Sequence, residues 1–327
     1  MRCLVYSSKE YDRRFLSEAA AGRHELDFLE SSLSTKTATL AKGFDAVCCF
    51  VNDSVQREEL RVLWEQGVKF IALRCAGFNN LDLAYAKQLG FTVARVPAYS
   101  PHAVAEHTLG LILSLNRKIH RAYSRVRDNN FALEGLLGFD LFGKTAGVIG
   151  TGAIGQCVVR ILHGFGCKVL CYDPSPLETM QEIAEYRSLE EVLAISDIVS
   201  LHCPLTSATH HLIGSESLQR MKRGVMLINT SRGGLIDTRA VIHSLKSGQL
   251  GSLALDVYEE ESDLFFQDLS RVVVQDDVFS RLLTFPNVLI TAHQAFFTKE
   301  ALTEIAKITM ENLDDFGTGR KNHRTLS

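Results

Sequence analysis

Apolar and polar residues alternate in blocks along the first hundred positions. Apolar runs of strand length cover Arg2–Tyr6, Glu25–Leu29, Asp45–Val51, Lys69–Leu73 and Phe91–Val96. Between them, Tyr11–Ala21, Val55–Gln66 and Leu81–Leu89 read as helices. The last two end near Gly67 and Gly90, as left-handed helix caps prefer. This alternation predicts a parallel sheet with crossover helices. From Ser100 to Arg127 the apolar spacing is helical through Val104, His107, Leu111 and Leu115, behind a Ser100–Pro101 start. One long helix is expected there, packed between domains or subunits.

A second series begins at Lys144. Its strands are expected at Ala146–Ile149, Lys168–Tyr172, Ile198–Cys203, Val225–Asn229, Ser252–Val257 and Val288–Thr291. Helices fall at Ile154–Phe165, Leu189–Ile195 and Thr238–Lys246, and the tail Lys299–Phe316 is amphipathic. Both halves therefore read as α/β. At 327 residues, two domains of ordinary size are expected.

Composition narrows the function classes. Hydrophobic residues make up 46% and charged residues 22%, the balance of a globular protein, with a formal net charge of -3. No excess of Lys and Arg is available to neutralise phosphates, so neither nucleic acid nor an anionic membrane is an expected partner. The start, MRCLVYSSKE, lacks the apolar run of a secretory signal, and no window approaches about 18 unbroken apolar residues. A cytoplasmic protein is expected. The eight cysteines (3, 48, 49, 75, 157, 167, 171 and 203) form no CxxC pair and read as reduced, buried thiols. No metal site is expected either, because the adjacent His210 and His211 cannot share a helix face as i, i+4 ligands do.

Gly150-Thr151-Gly152-Ala153-Ile154-Gly155 fits G-x-G-x-x-G, with a strand before it and an apolar-periodic helix after it. The first glycine permits the turn, the second admits a pyrophosphate, and the third lets helix and strand pack closely. Unpaired N–H groups at the helix start then face the phosphates. Gly150, Gly152, Ala153, Ile154 and Gly155 are thus candidate cofactor contacts. Asp173 follows the next strand, 18 residues beyond Gly155. A carboxylate there accepts from the adenosine ribose and repels a 2′-phosphate, which selects NAD over NADP.

Past this turn the chain resembles a known family. LHCPLTSATHHLIG, MLINTSRGGLIDTRAVIHSLKSG, LALDVYEEESDLFF and NVLITAHQAFF are similar to the D-isomer-specific 2-hydroxyacid dehydrogenases. So are CAGFNNLDL and VPAYSPHAVAEHT, and the resemblance covers essentially the whole chain. DVYEEESDLFF and HQAFF look like the D-lactate dehydrogenase branch. The resemblance assigns the catalytic Arg to Arg232 and the catalytic His to His293. Three glutamates run together at 259–261; the branch places the catalytic Glu five residues after the Asp of DVYE, here Asp256, which points to Glu261.

The chemistry asks for the same residue types. Arg pairs with a 2-oxo acid carboxylate in a fixed plane. A protonated His donates to the carbonyl oxygen as charge develops there, and a nearby carboxylate orients it. By the same resemblance, Cys203 and Pro204 lie along the cofactor, Thr209 lies near it, and Ser231 contacts it. Thr230 and Asp256 belong to the nicotinamide side. The amides of Ala76 and Gly77 help hold the substrate carboxylate, with Tyr99 close by. Phe78, Phe296 and Phe297 are candidate walls of a small pocket.

The resemblance implies two Rossmann-like parallel-sheet α/β domains with an active-site cleft between them. Residues 1–99 plus 296–327 would form the substrate domain, and 100–295 the NAD-binding domain. It also implies a homodimer or higher homo-oligomer, with pyruvate and D-lactate, a fermentation couple, as leading substrates. Two rival readings stay open. One is a relative acting on glycerate, phosphoglycerate or a bulkier 2-oxo acid. The other is a non-catalytic NAD-sensing scaffold.

Overall fold

The computed structural model describes residues 1–320 and 323–327. It divides into two compact units, Met1–Ser100 with Phe297–Ser327, and Pro101–Phe296. Lys321 and Asn322, within the expected 296–327 segment, lie outside the described residues.

In the first unit, β1 (Arg2–Val5), β2 (Glu25–Phe28), β3 (Ala46–Cys49), β4 (Phe70–Leu73) and β5 (Thr92–Arg95) form one parallel sheet in the order β2-β1-β3-β4-β5. Every residue of β3 and β4 is buried. These strands read as unbroken apolar runs because both sheet faces are covered. The helices are α1 (Glu10–Ala20), α2 (Arg57–Glu65) and α3 (Leu83–Gln88); α11 (Lys299–Gly317) returns to pack on α1. Tyr11 meets Phe297 edge-on at 4.8 Å in this unit.

A charge cluster sits inside this unit. Arg74, at the end of β4, is 1% exposed; its Nε donates to Asp12 at 3.2 Å and its Nη2 to the Ser7 carbonyl at 3.0 Å. Asp53, also buried, accepts from Ser7 Oγ and from the Leu33 and Phe50 amides at 2.6–2.7 Å. Burial pushes its carboxyl up against the pull of Arg74 and these donors. Burial also raises the thiols of Cys3, Cys48 and Cys49, that of Cys48 to about 11, so they are inert apolar fillers.

The second unit opens with α4 (Pro101–Arg117) and α5 (Ile119–Arg127). The single long helix expected from Ser100 to Arg127 is corrected here. Lys118 adopts a left-handed conformation (φ 52°, ψ 39°) and ends α4. The α4 end is clamped by Asn116, which bonds the Phe139 carbonyl (2.7 Å) and amide (2.9 Å). No residue of α5 is buried.

Beyond them come β6 (Thr145–Ile149), α6 (Ala153–Gly164), β7 (Lys168–Tyr172), β8 (Glu185–Tyr186), α7 (Leu189–Ile195), β9 (Ile198–Leu201), α8 (Ser215–Arg220), β10 (Val225–Asn229), α9 (Thr238–Ser247), β11 (Leu250–Leu255), α10 (Asp277–Leu283) and β12 (Val288–Ile290). All seven strands are parallel, in the order β12-β11-β10-β9-β6-β7-β8. The chain order reverses between β6 and β9, a topological switch point where such sheets bind ligands at their carboxyl ends. Among the described residues no helix is long and apolar enough to cross a membrane.

The buried Arg74 cluster generates a stability prediction. Arg74→Met should strand Asp12 and Asp53 as buried carboxylates without their cation and cost roughly 3–5 kcal/mol. Denaturant unfolding of the variant measures it; a loss under about 1 kcal/mol, the worth of a surface pair, contradicts the reading.

Candidate functional site

The expected residues of the second unit stand just past the carboxyl ends of its strands, as the switch point requires. After β6, Gly150 turns at φ +95°, where a Cβ would lie 2.7 Å from the Cys203 amide and the His202 carbonyl. At Gly155 a Cβ would collide with the Gly150 carbonyl. Around Gly152, by contrast, the space is open. It is also the N-cap of α6, with no side chain capping the helix. Crowding on one side and uncapped N–H groups on the other fit a diphosphate approaching from the Gly152 side.

Asp173 closes the turn from β7. One carboxylate oxygen accepts from the Thr151 amide (2.7 Å) and hydroxyl (3.1 Å), the other from the Ser175 amide (2.9 Å). The carboxylate is half-buried, and its remaining lone pairs can receive ribose hydroxyls. Across the switch point, His202 is half-buried behind the turn and bonds Ser200 Oγ at 2.8 Å. Desolvation pulls its imidazole down to about 4. Burial raises the neighbouring Cys203 thiol to about 11, so it is no nucleophile at neutral pH. The Cys203 carbonyl accepts from Ser231 Oγ (2.7 Å), and Pro204 O accepts from Thr209 Oγ1 (2.7 Å), which places the Thr209 hydroxyl within its own turn.

After β10, Thr230 is buried and its hydroxyl meets Thr108 Oγ1 at 2.9 Å. Arg232 follows, half-buried, its Nη1 donating to Ser231 O at 2.6 Å. Among the described residues no carboxylate lies in ion-pair range of this guanidinium. Gly233 packs directly on the Tyr258–Glu259 backbone, where a Cβ would collide. That close approach presses the Arg232 turn against the segment carrying the three glutamates.

Those glutamates separate cleanly. Glu261 Oε1 meets His293 Nδ1 at 2.7 Å, and its Oε2 accepts from the Tyr258 amide at 2.9 Å. Glu259 instead meets His211 Nε2 at 2.5 Å and Thr238 Oγ1 at 2.9 Å. A carboxylate only accepts, so His293 Nδ1 carries its hydrogen and Nε2 is left for a substrate. Sequence spacing alone treated His210 and His211 as unable to act together. The structure corrects that premise: they lie in a loop, and with Glu259 their ligand atoms come within 4.8 Å of one another. Their rings stack at 3.9 Å and 24°, and Glu259 is bonded to His211.

Asp256, expected on the nicotinamide side, has a fully buried side chain whose carboxylate accepts from neighbouring groups of the chain. Oδ1 accepts from Thr291 Oγ1 (2.5 Å) and the Gln294 amide (2.9 Å), and Oδ2 accepts from the Ala295 amide (2.9 Å). The His293 amide donates to the Asp256 carbonyl at 2.7 Å. Burial works to raise this carboxyl, but the bonds from His107, Thr291 and Ala295 outweigh it and the net shift is downward. Asp256 therefore holds the turn in which His293 adopts φ +52°.

The rings near His293 are Phe266, 5.7 Å away, and Phe296, 6.5 Å away and edge-on. Phe296 was expected. Phe266 was missed, since only its left-handed backbone (φ 64°) turns it back to the histidine, and DLFF carries no signal of that. Phe297 belongs to the first unit and is 49% exposed.

In the first unit, Ala76 and Gly77 follow β4. Cys75 Sγ donates to Gly77 O at 3.2 Å and Arg95 Nη1 to Ala76 O at 2.6 Å, with the Arg95 guanidinium 5.3 Å over Phe78. Among the described residues, neither the Ala76 nor the Gly77 amide donates to a protein group. These are the unused donors that a carboxylate site needs. Tyr99 is half-buried after β5.

Comparison with known proteins gives three kinds of match. Residues 109–295 match the family model described as D-isomer specific 2-hydroxyacid dehydrogenase, NAD binding domain. The D-lactate dehydrogenase of Escherichia coli is 54% identical over 321 residues, 98% of this chain and 98% of that protein. Among solved structures, apo D-lactate dehydrogenase from Escherichia coli superposes with a TM-score of 0.91 at 50% identity over the full length of both chains. D-lactate dehydrogenase from Aquifex aeolicus, complexed with NAD and lactic acid, gives 0.87 at 36% identity over 97% of this chain and 96% of that one.

His202 gives this subsection its pH prediction. Folded, it stays neutral down to about 4, whereas the unfolded chain takes up the proton near the ordinary value of about 6.5. Its contribution is present above about 6.5 and is lost as pH falls toward 4. Thermal unfolding between pH 7 and 4 should show a shallower decline for His202→Gln than for the parent; parallel declines contradict the assignment.

Proposed function

This chain belongs to the D-isomer-specific 2-hydroxyacid dehydrogenase family, and on that footing we propose that it interconverts pyruvate and D-lactate. Its cofactor is NAD, which the open side of the Gly150–Gly155 turn fits. The observation that carries the catalytic reading is the Glu261–His293 pair in the same unit as Arg232, which has no carboxylate partner among the described residues.

When bound, the reduced nicotinamide supplies the hydride. Arg232 holds the substrate carboxylate in a plane. His293 Nε2 delivers a proton to the carbonyl oxygen as charge builds there, and in the oxidative direction takes it back from the hydroxyl. Glu261, accepting from Nδ1, keeps the imidazole oriented with Nε2 toward the substrate. The unused Ala76 and Gly77 amides and Tyr99 are proposed to complete substrate binding. Asp173 is proposed to accept from the adenosine ribose and disfavour a 2′-phosphate. Cys203, Pro204, Thr209, Thr230 and Ser231 are the proposed flanking contacts of the cofactor.

We further read the enzyme as a cytoplasmic homo-oligomer serving fermentation. Seven of its eight cysteines are buried free thiols, as in a reducing compartment. For the assembly, the support is the apolar surface at and beyond α5. Ile119, Tyr123, Phe131, Leu133, Leu137 and Phe142 are 53–88% exposed, more apolar surface than a monomer ordinarily leaves to water.

Three outcomes are expected. Pyruvate should lead a panel with 2-oxobutyrate, hydroxypyruvate, 2-oxoisocaproate and phenylpyruvate in kcat/KM with NADH, since Phe266 and Phe296 flank His293. His293→Gln should lose about 10²- to 10⁴-fold in turnover while NADH still binds. A winning branched or aromatic acid overturns the substrate; near-normal turnover of the variant overturns the acid/base. Light scattering should give at least twice the chain mass, and Tyr123→Glu with Leu137→Glu should reduce it. A monomeric parent rules out the assembly.

A further inference from the structure

His107 stands in the apolar stripe of α4, yet it is polar and its side chain is 21% exposed. Its Nε2 lies 3.1 Å from Thr291 Oγ1 and 3.4 Å from Asp256 Oδ1. A threonine hydroxyl has one hydrogen, and Thr291 commits it to the Asp256 carboxylate at 2.5 Å. Thr291 can then only accept from His107, so His107 Nε2 carries a hydrogen and donates it toward both oxygens. The same logic applies one residue on. Thr108 Oγ1 donates to Val104 O at 2.8 Å, so at 2.9 Å it accepts from Thr230 Oγ1. Two consecutive residues of α4 thus fix the ends of three strands, at Thr230 after β10, Asp256 after β11 and Thr291 after β12.

Resting on the dehydrogenase reading above, we propose that His107 is a positioning residue for the reaction. Its Nε2–H locks Thr291 and Asp256, and through the Gln294 and Ala295 amides this fixes the turn that aims His293. His107 touches neither substrate nor cofactor in this role. Its effect is on the placement of His293, where an error of about 1 Å can cost up to about 100-fold in turnover.

The test uses the full-length enzyme and three replacements. Glutamine places an amide N–H near the position of the histidine Nε2; asparagine is too short to reach, and alanine donates nothing. His107→Ala and His107→Asn should lose at least about tenfold in kcat for pyruvate, within the range a misplaced catalytic group allows. KM for pyruvate and the NADH affinity from fluorescence titration should stay within about twofold, since the binding groups are untouched. His107→Gln should recover most of kcat. Adding Thr291→Val to His107→Ala should cost little beyond Thr291→Val alone, because both act through one bond. The proposal is overturned if Gln and Asn behave alike, if kcat is unchanged, or if NADH affinity falls in step with kcat. Should alanine not fold, the Gln–Asn contrast still decides. A parent enzyme that reduces no 2-oxo acid sinks the functional reading itself; an active parent with indifferent variants sinks only this one.

Discussion

A carboxylate removed from water must be surrounded by donors, and Asp256 collects them from one short stretch of chain. The Thr291 hydroxyl and the amides of Gln294 and Ala295 all point at it, while the His293 amide takes its carbonyl. Leaving any of these groups unpaired inside the protein would cost about 1–3 kcal/mol, more for the charge. The turn from β12 therefore has little freedom. It accounts for a histidine at φ +52°, a conformation non-glycine residues rarely hold unless their surroundings over-determine it. Glu261 then meets a ring whose backbone is already set, and its own second oxygen is fixed by the Tyr258 amide. The Glu261–His293 pair is held by two carboxylates that each accept from backbone amides.

Close backbone approach does the corresponding work on the other strands. The Gly150 turn abuts the His202–Cys203 peptide, and Gly233 abuts Tyr258–Glu259. Neither contact survives a Cβ. The first brings the ends of β6 and β9 together at the switch point. The second links the Arg232 turn to the segment of Glu261. Among the described residues Arg232 has no carboxylate partner, whereas Arg187, Arg220 and Arg324 are each paired. A guanidinium whose fork is not taken up by an acid suits the carboxylate role proposed for Arg232.

Much of this was legible in the sequence, for identifiable reasons. Strands Lys168–Tyr172 and Val225–Asn229 and helix Leu189–Ile195 fall where apolar periodicity puts them, because they are buried on the faces the pattern marks. The glycine turn was legible because its spacing reflects backbone collisions that any side chain would cause. What was illegible has physical causes too. The break at Lys118 leaves no mark in periodicity, since it is made by a left-handed lysine and by Asn116 reaching Phe139, 23 residues away. β8, at two residues, is too short to show a period. α10 was overlooked although Asp276 caps it, because the polar stretch before it reads as loop. Among three consecutive glutamates the five-residue offset from Asp256 singles out Glu261, which meets His293, whereas nothing local marks Glu259 for His211.

The same limit hides the bonds that Asp256 makes within the protein. A motif records that an aspartate stands at a position but is silent on which way its oxygens face. Here the downward shift of a fully buried carboxyl says that its donors outweigh its desolvation. Such a group anchors the turn after β12 through bonds of 2.5–2.9 Å. Helix α4 and the ends of β11 and β12 hold the turn of His293 from behind, the supporting arrangement that the role proposed for His293 needs.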